Sequence, residues 1–133
     1  MLFRSEQIRA CAATGGVIGI NGVGVFLGDP QAGTAAMARA VDYVADLVGR
    51  EHVGFGLDFN WLPEIDDHPP GLNREDWWPA KYGYASFAHM SFARPEQIPE
   101  LAEEMARRGW SETEVAGLMG ANFLRVAEAV WPD

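Results

Sequence analysis

Two short, uninterrupted apolar runs, Val17-Ile18-Gly19-Ile20 and Val53-Gly54-Phe55-Gly56-Leu57, flank a segment of helical length, and this constrains the fold more than any other feature. Neither run alternates apolar with polar residues. Both therefore read as strands covered on two faces, the second starting at His52, as in a parallel sheet. Parallel neighbours need a crossover, and residues 34–48 supply one: Met37, Val41, Val44 and Val48 recur at helical spacing, and Gly49 stands where a helix C-terminal glycine belongs. Strand, helix and strand make one βαβ unit, with a right-handed crossover expected. Two parallel strands leave an unpaired edge on each side, so the chain reads as part of something larger.

Around this unit the punctuation is mostly helical. Ser5 is placed to cap a short helix through Ala12, with Ile8 and Ala12 on one face and Thr14-Gly15-Gly16 as its stop. Residues 95–108 read as a helix ended by Gly109. Ser111-Glu112-Thr113-Glu114 is a capping box opening another, and Gly120 separates that helix from a last one over residues 122–130. Residues 59–94, with prolines, tryptophans and an Asp66-Asp67-His68 cluster but no clear period, read as a long loop with its own aromatic packing. The expected fold class is α/β, a single partial domain over residues 1–133.

Ten basic against nineteen acidic residues, a net charge of −9, disfavours nucleic acid and anionic membranes as partners. No apolar stretch approaches the roughly 20 residues of a membrane span, and no leader pattern is visible. The single cysteine, Cys11, has no internal disulfide partner and reads as a packing thiol, which fits a reducing compartment and an expected cytoplasmic location.

Each apolar run is followed at once by a polar residue, Asn21 after the first and Asp58 after the second. Three stretches give these positions a context. They are residues 12–21 (Ala-Ala-Thr-Gly-Gly-Val-Ile-Gly-Ile-Asn), then Val44 to Gly49 with His52 to Phe59, and then Leu101 through Arg107-Arg108-Gly109-Trp110-Ser111-Glu112 to Gly120-Ala121-Asn122-Phe123-Leu124-Arg125-Val126. In this order they resemble the last third of the renal (membrane) dipeptidase family, also grouped as peptidase family M19. The resemblance fails from about Trp61 to His89. It implies the C-terminal part of a (β/α)₈ TIM-type barrel, with these strands the seventh and eighth, and a zinc-dependent enzyme that hydrolyses dipeptides. Catalytic groups in such barrels lie at the C-terminal strand ends, where Asn21 and Asp58 fall. By resemblance, Asp58 matches an aspartate beside a hydroxide bridging two zinc ions, which takes its proton and passes it to the leaving amine; Asn21 would line the substrate pocket. From the residues alone, Asp58 also reads as a solvated strand-end or helix-cap aspartate.

The resemblance places the metal ligands (a His-x-Asp, a bridging glutamate and two histidines) on earlier strands, without counterparts in this chain. A family arginine that grips the substrate carboxylate aligns near Met1, and Arg4 is about three residues out of register. The chain is accordingly expected to be inactive alone, acting with the missing barrel portion or associating with copies of itself. His52, His68 and His89 are too widely spaced for a ready zinc site and read as surface or packing residues. Gly19, Gly22, Gly24 and Gly28 lack phosphate-loop spacing and read as close backbone approach at a rim, with Phe26 either flanking the pocket or packed in the loop. Trp61, Trp77, Trp78, Tyr82 and Tyr84 suit an aromatic lid or plain loop packing, as do Met90 and Phe92. A helix-turn-helix module over residues 111–130 is a remote alternative, with Arg125 the one cation of its second helix.

Overall fold

The strand–helix–strand unit forms, and it organises everything packed around it. The computed structural model describes residues 4–59, 70–71, 73–77, 79–82 and 91–131. Helix α1 (Ser5–Ala13) leads to strand β1 (Ile18–Ile20), then to the short α2 (Gly24–Leu27) and the crossover helix α3 (Thr34–Val48). A 3-10 turn over Arg50–His52 delivers the chain to β2 (Val53–Phe55). The strands pair in parallel, Ile18 with Val53, Gly19 with Gly54 and Ile20 with Phe55.

Both strands are shorter than their apolar runs. His52 belongs to the turn before β2, and Val17 precedes the ladder. Beyond β2 the contact continues as single backbone bonds, Gly56 N–H to Ile20 O at 3.1 Å and Gly22 N–H to Leu57 O at 3.0 Å. Ile20 is buried while Gly19 is exposed, so the two-face covering expected of β1 is not completed by the described residues.

Helix α3 matches its sequence period from end to end. Thr34, Ala36, Met37, Ala38, Val41 and Val44 are buried along one side, and Gly49 takes φ 101° just past the last turn. After α4 (Arg74–Trp77) the chain continues into α5 (Ile98–Arg107), α6 (Glu112–Ala116) and α7 (Asn122–Val130). Met37 and Val41 of α3, Val53 of β2, Leu101 and Met105 of α5, and Leu118 just after α6 have little or no exposure and form the centre of one core. Burial of this kind contributes about 1.5–3 kcal/mol per large side chain.

The helix ends follow local chemistry, with one correction. Arg4, not Ser5, is the N-cap of α1; its backbone N–H donates to Gln7 Oε1 at 3.0 Å. Ser5 instead pairs its hydroxyl with that of Tyr43 at 2.9 Å, fastening α1 to α3. The capping box of α6 forms as read: Ser111 Oγ accepts from Glu114 N–H at 3.3 Å, and Glu114 Oε2 accepts from Ser111 N–H at 2.7 Å. Gly120, at φ 146°, breaks the path between α6 and α7. The helices α2 and α4 have no counterpart in the sequence reading, because four residues are too few to show a period.

Candidate functional site at the strand ends

The C-terminal ends of β1 and β2 are drawn together by backbone before any side chain contributes. Gly22 donates to Leu57 O, and the returning segment at 91–93 crosses the same end: Ala93 N–H donates to Gly22 O at 2.7 Å, Gly24 N–H to Ser91 O at 2.9 Å, and Val23 bridges Phe92. A Cβ on Gly22 would lie 2.6 Å from the Leu57 carbonyl oxygen and 2.9 Å from Ala93 Cβ, so only glycine permits this convergence. Gly24 is constrained alike, with Asp29 O at 2.5 Å from the same position. The close backbone approach expected of these glycines is found at Gly22 and Gly24. Gly28, at φ 69°, serves instead as the left-handed cap of α2.

Asn21 and Asp58 meet at this junction. Asn21 Nδ2 donates to Asp58 Oδ2 at 3.2 Å, across 37 positions of sequence, while Asn21 Oδ1 accepts the Val23 N–H at 2.7 Å. Asp58 is exposed and stands at φ 55°, one of two non-glycine residues at positive φ among those described. Aspartate is among the few side chains that tolerate that conformation, and such outliers cluster at working sites. Its carboxylate, the strand-end carboxylate, is therefore aimed by an unusual backbone turn and held by one amide. The Asn21–Val23 half of the arrangement has a local signal that the sequence reading did not use, since Asn-Gly commonly forms a side-chain-to-backbone turn. The Asn21–Asp58 half depends on strand register.

Asn21 also lines an apolar groove along β1 with Ile8, Ile18, Ile20, Phe26 and Tyr43. Phe26 thus shares a cavity wall with Asn21. Asp58 is not among the groove's lining residues.

The other candidate side chains separate from this junction. His52 Nδ1 donates to Gly16 O at 2.8 Å at the opposite end of the strands. His68, His89, Asp66, Asp67 and Met90 lie outside the described residues, as do Trp61, Trp78 and Tyr84 and the side chains of Trp77 and Tyr82, so the lid expectation rests there too. Among the described residues no three His, Cys, Asp or Glu side chains converge in a way that could hold a metal ion. The described part of the chain thus does not fit a metal centre. Among the described residues no helix is long and apolar enough to cross a membrane.

The third family-like stretch works elsewhere. Asn122 is buried and donates from Nδ2 to Arg50 O at 2.9 Å and Val53 O at 2.8 Å. Arg125 donates to Gly15 O and Glu51 O, both at 3.0 Å. The one cation of a would-be recognition helix is thereby engaged with the protein's own backbone, and the helix-turn-helix reading is not favoured. Arg50 lies over the Trp110 ring at 4.7 Å and pairs with Glu114 at 2.6 Å. The Ser111 backbone N–H, then its hydroxyl, then Arg50 hold the Glu114 carboxyl below its ordinary range.

A βαβ unit with polar residues gathered at its strand ends places the chain among α/β proteins, whose ligands collect at the carboxyl ends of strands. The chain belongs to the membrane dipeptidase family, peptidase family M19, whose profile matches residues 4–76 and 84–131. It is 28% identical over 131 residues to uncharacterized dipeptidase C965.12 of Schizosaccharomyces pombe, covering 96% of this chain and 30% of that protein. It is 24% identical over 131 residues to an uncharacterized protein in the pqqA 5′ region of Klebsiella pneumoniae (95% of this chain, 40% of that one), and 31% identical over 96 residues to dipeptidase ataJ of Aspergillus terreus (70% and 18%). The chain therefore spans less than half the length of these curated relatives. No solved structure matches it significantly.

Proposed function

We propose that this chain is the C-terminal part of the (β/α)₈ barrel of a zinc-dependent dipeptidase, and that Asp58 is the group that moves the proton during cleavage of a dipeptide. The single observation that carries the reading is Asp58 itself: a carboxylate at the end of β2, in a rare backbone conformation, bonded across to the end of β1, within a chain of this family. The chemistry needs such a group. Water adding to the peptide carbonyl must lose a proton, and the nitrogen leaves poorly unless it gains one. One carboxylate can accept the first proton and deliver it to nitrogen as the C–N bond breaks, ending in its starting state. In this reading the zinc ligands and the clamp for the substrate carboxylate belong to the rest of the barrel, Asn21 borders the substrate pocket, and the chain alone does not turn over.

The test is a chimera in which this chain replaces the matching segment of an active dipeptidase. Asp58→Asn should lower kcat about 10²- to 10⁴-fold with zinc content unchanged. A kcat within twofold of the parent chimera would remove Asp58 from the reaction.

A second reading rests on the open sheet. Two parallel strands with exposed Gly19 offer edges to a further strand, so association with the missing barrel portion or with a second copy is the alternative role. Light scattering on the purified chain, with and without an upstream barrel portion, separates these outcomes. A monomer that stays monomeric in both mixtures would argue against it.

A further inference from the structure

The two polar atoms of Asn21 are not equivalent, and the reason lies in the backbone. A main-chain N–H can only donate, so the atom facing Val23 N–H at 2.7 Å must be the carbonyl oxygen Oδ1. That contact removes the usual freedom of an amide to flip. Nδ2 is then the only Asn21 atom left for Asp58, and it too can only donate, to Oδ2 at 3.2 Å. Asp58 Oδ2 must therefore remain an acceptor in both protonation states. The carbonyl oxygen of a carboxylic acid accepts better than its hydroxyl oxygen, so a proton loaded onto Asp58 favours Oδ1, the oxygen that Asn21 does not bond.

We infer that Asn21 is a positioning residue that fixes which oxygen of Asp58 carries the proton, and with it the direction in which the proton is delivered. This inference rests on the proposed role of Asp58 and deepens it. Asn21 acts through Asp58, to which its Nδ2 donates while its Oδ1 is held by the Val23 N–H. The surroundings support an orienting device. Gly22, the residue between Asn21 and Val23, bonds to Leu57 O, so the backbone beside Asp58 and the backbone beside Asn21 are tied to each other as well. Asp58 at φ 55° needs such over-determination to persist.

Asn21→Asp removes the donor and sets a second carboxylate beside Asp58, so its effect is read against Asn21→Leu, which removes the donor without adding charge. An aspartate keeps an oxygen for Val23 N–H, so the turn survives, but it replaces the donor to Asp58 with an acceptor. Asn21→Leu removes both bonds and serves as the control for the turn. On the 133-residue chain itself, the Asn21 side-chain amide protons should move as Asp58 titrates in ¹H–¹⁵N spectra, and Asp58→Asn should abolish that response while the rest of the spectrum stays folded. In the dipeptidase chimera, Asn21→Asp should lower kcat roughly 10- to 100-fold with KM nearly unchanged, and should add nothing in an Asp58→Asn background. An Asn21 amide insensitive to Asp58 would overturn the inference, as would a raised KM at unchanged kcat, the mark of a direct substrate contact. If Asp58→Asn leaves kcat intact, the catalytic reading fails and the inference with it. If Asp58→Asn lowers kcat but Asn21→Asp does not, the inference alone fails.

Discussion

The two ends of the β1–β2 pair are built to different rules. Where the strands begin, the structure is stitched: Asn122 and Arg125 reach from α7 to the carbonyls of Gly15, Arg50, Glu51 and Val53, and His52 to that of Gly16. Phe123 lies so close over Gly54 that a side chain there would have to push its ring aside. Where the strands finish, glycines let three backbone segments crowd together, and among the described residues one side-chain hydrogen bond, Asn21 to Asp58, spans the gap. On the proposed barrel reading, this contrast is the division of labour to expect, with stability at the N-terminal face of the strands and chemistry at the C-terminal face. An exposed carboxylate in a strained turn adds little to folding, whereas side-chain donors fixed on strand-start carbonyls do little besides hold the fold.

Removing the stitch should have the largest effect on stability. Asn122→Leu keeps the volume but removes the side-chain donor to the Val53 carbonyl and one of the two donors to the Arg50 carbonyl, which keeps the Val53 N–H, and urea unfolding should show a loss of about 2–4 kcal/mol. A loss below about 1 kcal/mol would mean that the strand starts are held by packing alone. Gly54→Ala should come next, at about 1–3 kcal/mol, because the new methyl runs into the Phe123 ring. Pairing it with Phe123→Ala tests that cause: the double variant should be more stable than the two separate losses added together, and strict additivity would place the strain elsewhere.

The opposite end should respond with the opposite sign. Asp58→Gly relieves a non-glycine residue at φ 55° and should leave thermal stability unchanged or raised by up to about 1 kcal/mol, while abolishing turnover in the chimera. A clear destabilisation would show that Asp58 belongs to the structural set. The smallest effect concerns Glu114. Its folded carboxyl titrates below its unfolded value because the Ser111 backbone and hydroxyl, then Arg50, favour the charged form. The stabilisation is present above the unfolded value and is lost as pH falls through the folded one. A stability–pH curve should therefore fall less steeply on the acid side in Glu114→Gln than in the parent; identical acid limbs would show the pairing to be inert.

How much of this was legible in the residues depended on the range of the interaction. Helix α3 was readable residue for residue because its period and its terminal glycine are local. So were the Ser111–Glu114 box and the break at Gly120, each decided within one helical turn. The start of α1 was misread by one residue because Ser5 is as good a partner for Tyr43, 38 positions away, as for its own helix. The strands were located but drawn too long, since an apolar run does not reveal how many of its residues find a partner. The run from Asn122 to Arg125 drew notice as part of a family-like stretch, yet its Asn122 and Arg125 side chains bond to the protein's own backbone. No local pattern distinguishes a residue that clasps a carbonyl from one that meets a substrate.

By itself the sequence determined what short-range physics controls: the α/β class, the helices of useful length, the family, and the two strand-end polar positions where chemistry could sit. Only the tertiary structure decided that Asn21 and Asp58 are partners, that the Asn21 amide faces Asp58 with its nitrogen, and that Asn122 and Arg125 bind the far end of the same strands. The physical reason is register. A hydrogen bond across 37 residues exists only once Ile20 stands beside Phe55 and Gly22 beside Leu57, and that alignment is set by the packing of the whole unit rather than by either segment alone.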